Sequence, residues 1–200
     1  MRAYAHHSPP CENQPMNSNS ATMPTTCPTV IVLASGRGER FTASGGQVHK
    51  LQALLGGKKI IDWTLDAVRA SGLAFHVEDA GHPGMGDSIA AAVRATQDAA
   101  GWLILPADLP LIQPATLLTI AQALQQSSLV YPMCAGQRGH PVGFGLAYAA
   151  QLAGLKGNKG AAQLIIAGEA IELIVADMGC VTDIDTLQDL ERAQKLLAGA

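Results

Sequence analysis

Five short clusters carry the side chains with the clearest chemistry. The first is Gly36, Arg37, Gly38 and Arg40, with Lys50 a loop further on. Glycines let backbone N–H groups approach phosphate oxygens closely, and three cations there can offset a polyanion's charge. The spacing is not that of a P-loop, since no Gly-Lys-Ser/Thr follows, nor of the dinucleotide G-x-G-x-x-G. An ordinary strand-to-helix turn with solvated arginines has the same composition. The second cluster is Asp108, set between Pro106 and Pro110. A carboxylate placed rigidly at the end of a strand suits a Mg²⁺ site completed by substrate phosphates; it equally suits a turn aspartate bonded to its own backbone.

The third cluster, Gly84-Met85-Gly86-Asp87-Ser88, opens a helical pattern. It can aim backbone donors at a base or phosphate, and Asp87 or Ser88 can cap the helix in either case. In the fourth, Arg138 and His140 flank Gly139. They could meet an anionic substrate or decorate a surface turn. The fifth is Asp183-Ile184-Asp185. Alternate residues of an extended segment point the same way, so both carboxylates can face one site and one could share a metal with Asp108. Helix capping and dipole compensation are the plainer use.

Elements that would hold these clusters are readable from hydrophobic pattern. Val30–Leu33 and Trp102–Leu105 are unbroken apolar runs, as expected of strands buried on both faces. Shorter strands are predicted at Ala74–Val77, Ser128–Tyr131, Val142–Phe144 and Ile171–Val175. Helices are predicted over Ile60–Ser71 (closed by Gly72), from Asp87 or Ser88 to about Gln97, from Pro114 to about Gln126, over Ala161–Ala167, and from a capping box at Thr186. Alternating strands and helices imply a mostly parallel sheet covered on both faces, with ligands at the carboxyl ends of its strands. The candidate residues fall just after strands.

Size and charge set the limits. Two hundred residues, 48% hydrophobic and 14% charged, fit one folded domain. Residues 1–28, rich in Pro, Ser, Asn and Thr, are expected to be a disordered leader, with the domain over 29–200. A net charge of −3 argues against nucleic acid as a partner. No apolar run has membrane-spanning length and no secretory signal is visible, so the expected compartment is the cytoplasm. The four cysteines are scattered and are expected to be free thiols.

Taken in order, the five clusters resemble the MobA-like nucleotidyltransferase domain family, and within it the molybdenum cofactor cytidylyltransferase branch. The matching elements are a form of L-A-A-G-x-G-x-R-F…K at Leu33–Lys50, G-M-x-x-S at Gly84–Ser88, D-x-P at Asp108–Pro110, R-G-H-P at Arg138–Pro141 and D-I-D-T-x-x-D-L at Asp183–Leu190. The resemblance implies a Rossmann-like three-layer α/β/α sandwich of the nucleotide-diphospho-sugar transferase kind. It implies transfer of CMP from CTP to the terminal phosphate of molybdopterin, with release of pyrophosphate. Nucleotide contacts are expected from Leu33, Ala34, Ser35, Gly36, Arg37, Gly38, Arg40, Lys50, Gly84, Gly86 and Ser88. Asp108, Lys50 and Arg37 take the catalytic roles, Asp108 with Asp185 and Asp183 the Mg²⁺, and Arg138 with His140 the acceptor. A recipient molybdoenzyme is a further expected partner.

The chain departs from the family pattern in four places. Ser35 replaces the second Ala of L-A-A-G. The stretch Phe41–His49 before Lys50 is long. The G-D-x-G-A-R element reads Gly157-Asn158-Lys159-Gly160-Ala161-Ala162. The segment between the first long helix and Gly84 is short, so the sheet is expected to lack a strand–helix unit. Rival readings keep the chemistry with another base or acceptor (a guanylyltransferase or a sugar-phosphate nucleotidyltransferase), or replace it with a non-catalytic cofactor carrier.

Overall fold

A computed structural model describes residues 27–167 and 169–199. Of the leader expected over 1–28, residues 1–26 lie outside the described residues, whereas Cys27 packs against the core and Pro28 is buried, so the domain begins slightly earlier than expected. Along the chain come β1 (Thr29–Leu33), α1 (Glu39–Ala43), a 3-10 turn at Lys50–Gln52, β2 (Leu54–Leu55), β3 (Lys58–Lys59), α2 (Ile60–Ser71), β4 (Phe75–Glu78), α3 (Met85–Ala95), β5 (Gly101–Pro106) and α4 (Pro114–Ala123). They continue with β6 (Leu129–Cys134), β7 (Gln137–Arg138), β8 (Val142–Gly145), α5 (Ala149–Ala153), α6 (Ala162–Ala167), β9 (Ile171–Ile174) and α7 (Leu187–Ala198).

The main sheet is mixed, ordered β4-β1-β5-β8-β6-β7, with β9 also paired to β6. β1 runs parallel to β4 and to β5; β8 runs antiparallel to both β5 and β6, and β9 runs parallel to β6. Side chains alternate across a strand, so each buried strand feeds two cores. Val30, Val32, Leu103 and Leu105 point to one face, where Leu65 and Val68 of α2, Leu117 and Ile120 of α4 and Ala193 of α7 cover them. Ile31, Trp102 and Ile104 point to the other, under Ile89 and Val93 of α3 and Leu152 of α5. That is the three-layer α/β/α arrangement.

Several boundaries differ from the sequence-based ones for identifiable reasons. α3 is capped by Gly84 rather than Asp87 or Ser88 and ends at Ala95. Both side chains are bonded elsewhere: Asp87 accepts from the Gly157 N–H, and Ser88 pairs with Ser35. α4 stops at Ala123 because Gln125 and Gln126 bond three residues back. β6 runs through Pro132, whose carbonyl still accepts the Gly139 N–H. Gln137–Arg138 is a strand rather than a loop, folded back on β6 through Ala135 and Gly136, both at positive φ. The β2–β3 hairpin turns on Gly56 and Gly57, at φ 57° and 82°. Leu-Leu-Gly-Gly-Lys-Lys was its available signal, because two glycines suit a two-residue hairpin turn. The connection from α2 to α3 carries one strand, β4, which forms the sheet's edge beside β1. Among the described residues no helix is long and apolar enough to cross a membrane.

Candidate active site

β1 ends in the middle of the sheet, and its neighbours hold the chain that leaves it. The Ala34 N–H donates to the Glu78 carbonyl, and the Ala107 N–H donates to the Leu33 carbonyl. Ser35 and Ser88 share a 2.8 Å hydroxyl hydrogen bond, tying the turn to α3. This is the role of the serine that departs from L-A-A-G. Gly38 caps α1 at φ 66°, a left-handed geometry that costs glycine little. Phe41 anchors α1 in the core at 1% exposure. The long return loop then comes back onto the turn: His49 Nε2 donates to the Gly36 carbonyl at 2.7 Å, while its Nδ1 accepts from the Leu51 N–H. That anchorage delivers Lys50 despite the length of Phe41–His49.

Lys50 Nζ donates to Asp108 Oδ2 and, at 3.0 Å, to Asp185 Oδ1. Arg40 closes the network with a 2.7 Å ion pair to Asp185 Oδ2. Asp108 sits where β5 ends, and its carbonyl accepts the Ile184 N–H, so the two acidic segments are zipped together. The Lys50 side chain is only 12% exposed. Burial disfavours its charge, but the adjoining Asp108 and Asp185 carboxylates outweigh that and hold its pKa above the ordinary lysine value.

Asp108 Oδ1 is buried and has no hydrogen-bond partner among the described residues. An orphaned anionic oxygen is costly unless something cationic meets it. Asp108 thus fits a divalent ion. No group of three or more His, Cys, Asp or Glu is arranged as a ready-made metal cage among the described residues. A divalent ion there would need substrate phosphates or water to complete its shell. Asp183 is exposed, does not line the cavity and has a raised pKa. Partial desolvation comes first among the causes, followed by repulsion from Asp108, Asp185 and Asp189.

These groups line a cavity of about 580 Å³ at the carboxyl ends of β1 and β5. Leu33, Ser35, Gly36, Arg37, Gly38, Arg40 and Lys50 line it, as do Gly84, Ser88, Asp108 and Asp185. Arg37 is exposed at the rim, 3.7 Å from Glu39. Gly86 is not on the wall: its N–H is bonded to the Gly157 carbonyl at 2.7 Å. A Cβ on Gly84 would lie 2.4 Å from the Gly157 carbonyl carbon, and one on Gly86 2.9 Å from that of Lys156. Both glycines let the 156–158 loop pack against α3, which carries Asn158 to the cavity.

Arg138 and His140 do not line this cavity. Arg138 is exposed on β7, its guanidinium 5.7 Å from the Tyr131 ring. Burial pushes the His140 pKa down, against an opposing pull from the Asp108 charge, and its Nδ1 has no partner among the described residues. Sequence reasoning missed His82. It lines the cavity with Nε2 3.3 Å from Oε1 of Glu78, which is 6% exposed at the end of β4. A carboxylate directly after the strand predicted at Ala74–Val77, with histidine four residues on, was the available signal.

A three-layer α/β domain that gathers a glycine turn, cations and carboxylates at its strand ends has the layout of a nucleotide-handling transferase. The chain belongs to the MobA-like NTP transferase domain family, whose model matches residues 66–198. That segment includes Asp108 and Asp185 but begins after the Leu33–Lys50 turn; geometry joins the turn to the site. The fold is similar to that of Rv0371c from Mycobacterium tuberculosis H37Rv, at 25% identity over 86% of this chain and 100% of that one, with a TM-score of 0.73. Another structure of Rv0371c is a complex with manganese. A nucleotidyl transferase from Methanothermobacter thermautotroptrophicus has 20% identity over 86% of this chain and 98% of that one, with a TM-score of 0.69. Molybdopterin-guanine dinucleotide biosynthesis protein A from Archaeoglobus fulgidus has 19% identity over 86% and 100%, with a TM-score of 0.64. No curated protein matches the chain.

Proposed function

We propose that this nucleotidyltransferase moves CMP from CTP to the terminal phosphate of molybdopterin, releasing pyrophosphate, in a cytoplasmic pathway that supplies a molybdoenzyme. One observation carries the reading. Arg40, Lys50, Asp108 and Asp185, from three separate segments, meet in one ion-pair network on the wall of the cavity lined by the glycine turn.

The chemistry follows from charge. An anionic phosphate oxygen attacks an anionic α-phosphorus, and pyrophosphate leaves. The attacking oxygen is already ionised at neutral pH, so no general base is required. The protein's work is alignment and dispersal of negative charge. Arg37, Arg40 and Lys50 neutralise the triphosphate. The turn's backbone and the Ser35–Ser88 pair shape the wall against which the nucleotide lies. Asp108, with its free Oδ1, and Asp185 would hold the divalent ion. When bound, that ion polarises the α-phosphate and steadies the leaving group. The manganese complex of Rv0371c supports divalent-metal use in this fold. Arg138 and His140, set outside the cavity, are left to the acceptor or to packing.

The test is pyrophosphate release with CTP, GTP and a sugar phosphate or molybdopterin as acceptor, in Mg²⁺ or Mn²⁺. CTP with molybdopterin is expected to turn over fastest, and Asp108→Asn is expected to abolish it with the fold intact. Turnover with GTP alone would reassign the base. Stable cofactor binding without turnover of any nucleotide would favour a carrier.

A further inference from the structure

The carboxylates that fit a divalent ion already hold a cation of the chain's own. We propose that Lys50 is the resident counterion of Asp108 and Asp185, and that a divalent ion competes with it for these carboxylates, binding weakly until Lys50 is drawn away onto a triphosphate. The inference deepens the proposed function and rests on its reading of the cavity as a metal–triphosphate site.

The argument is one of charge and space. Lys50 Nζ contacts one oxygen of Asp108 and one of Asp185, and Arg40 takes the second oxygen of Asp185. Two carboxylates and two cations sum to zero. A divalent ion arriving alone meets a neutral cluster, and it competes with an ammonium for Asp108 Oδ2 and Asp185 Oδ1. Of their four carboxylate oxygens only Asp108 Oδ1 has no partner among the described residues, and it is buried. A triphosphate changes both terms. Its oxygens offer Lys50 and Arg40 new partners in the same cavity, and the vacated carboxylates then face the metal. Metal and nucleotide therefore load together, each raising the other's affinity by the same factor, as linkage requires. The flexible stem of lysine suits it to such an exchange better than a rigid guanidinium would.

The test reads metal binding in the absence of nucleotide and acceptor. Mn²⁺ is titrated into the full chain and free Mn²⁺ is followed by electron paramagnetic resonance. Lys50→Met, nearly isosteric and uncharged, is expected to bind Mn²⁺ about tenfold more tightly than the native chain, within the usual range of site-to-site coupling. Equal or weaker binding by Lys50→Met, or no binding by either protein, overturns the inference. Asp108→Asn separates the two claims. Sensitivity to Asp108→Asn without a gain in Lys50→Met removes the counterion role alone, whereas binding indifferent to Asp108→Asn removes the metal reading beneath it.

A second measurement needs no variant. Acylation of the Lys50 amine, quantified by peptide mass spectrometry, is expected to rise when the native chain is saturated with Mn²⁺ alone. Unchanged labelling at saturation overturns the proposal.

Discussion

Lys50 stays charged in a nearly closed setting because carboxylates surround it, and removing it has two consequences. Lys50→Ala leaves Asp108 and Asp185 uncompensated and takes one charge-assisted contact from the triphosphate, so CTP affinity is expected to fall by about 1.5–3 kcal/mol. Isothermal calorimetry checks this, and an unchanged affinity would place the lysine elsewhere when nucleotide is bound. Cys180 gives the opposite case, a reactive group held inert. It is fully buried, and burial first, then the Asp177 charge, pushes its thiol up to about 12. Thiolate is the reactive form, so iodoacetamide at neutral pH is expected to spare Cys180 in the native protein and modify it in denaturant. At this scale the sequence showed residue types well and partners poorly. Lys50, Asp108 and Asp185 were all visible, but no spacing says that an ammonium lies between carboxylates 58 and 135 positions away. His82 escaped although its partner Glu78 lies only four positions away, because nothing in the pattern said that the turn after β4 folds onto the cavity.

Among the elements, α7 and α3 mark what local pattern can and cannot show. Thr186 caps α7 in a full capping box with Asp189, as its sequence foretells. That motif closes within four residues, so no tertiary contact is needed to recognise it. Thr186→Ala is expected to cost about 1 kcal/mol, read as a lower urea midpoint at unchanged m-value. The start of α3 was misplaced because its glycines answer to a distant loop. Gly84→Ala would drive a Cβ into the Gly157 backbone, with Asn158 Oδ1 2.7 Å away. Overpacking of this kind typically costs about 1–3 kcal/mol. Urea unfolding measures it, and nucleotide affinity is expected to weaken as well, since the 156–158 loop carries Asn158 into the wall.

For the molecule as a whole, Asp183 ties stability to pH. Its pKa is raised by partial desolvation first and then by neighbouring carboxylates. The folded state thus holds that proton more tightly than the unfolded chain, and stability is lost as pH rises from about 4 through the raised value. Asp183→Asn removes the ionisation. It is expected to raise the melting temperature at pH 7, with the gain vanishing below about pH 4. A gain that persists in acid would mean that charge is not its source. The three-layer arrangement itself was legible: the short, unbroken apolar runs at Val30–Leu33 and Trp102–Leu105, alternating with helical patterns, suit strands covered on both sides. The mixed direction of β8 was not, because pairing sense depends on how the chain returns from β7.

By itself the sequence determined most of the longer strands and helices in their order, the two-faced burial of the central strands and the types of residue waiting at their carboxyl ends. Each is a property of short-range pattern, where side-chain alternation and caps act over a few positions. The tertiary structure alone decided which of those residues meet. It drew Arg40, Lys50, Asp108 and Asp185 into one network, gave Gly86 to a loop contact and set Arg138 and His140 outside the cavity. Contacts between remote segments follow from how helices pack across the sheet, and burial of the whole core, not any local preference, chooses that packing.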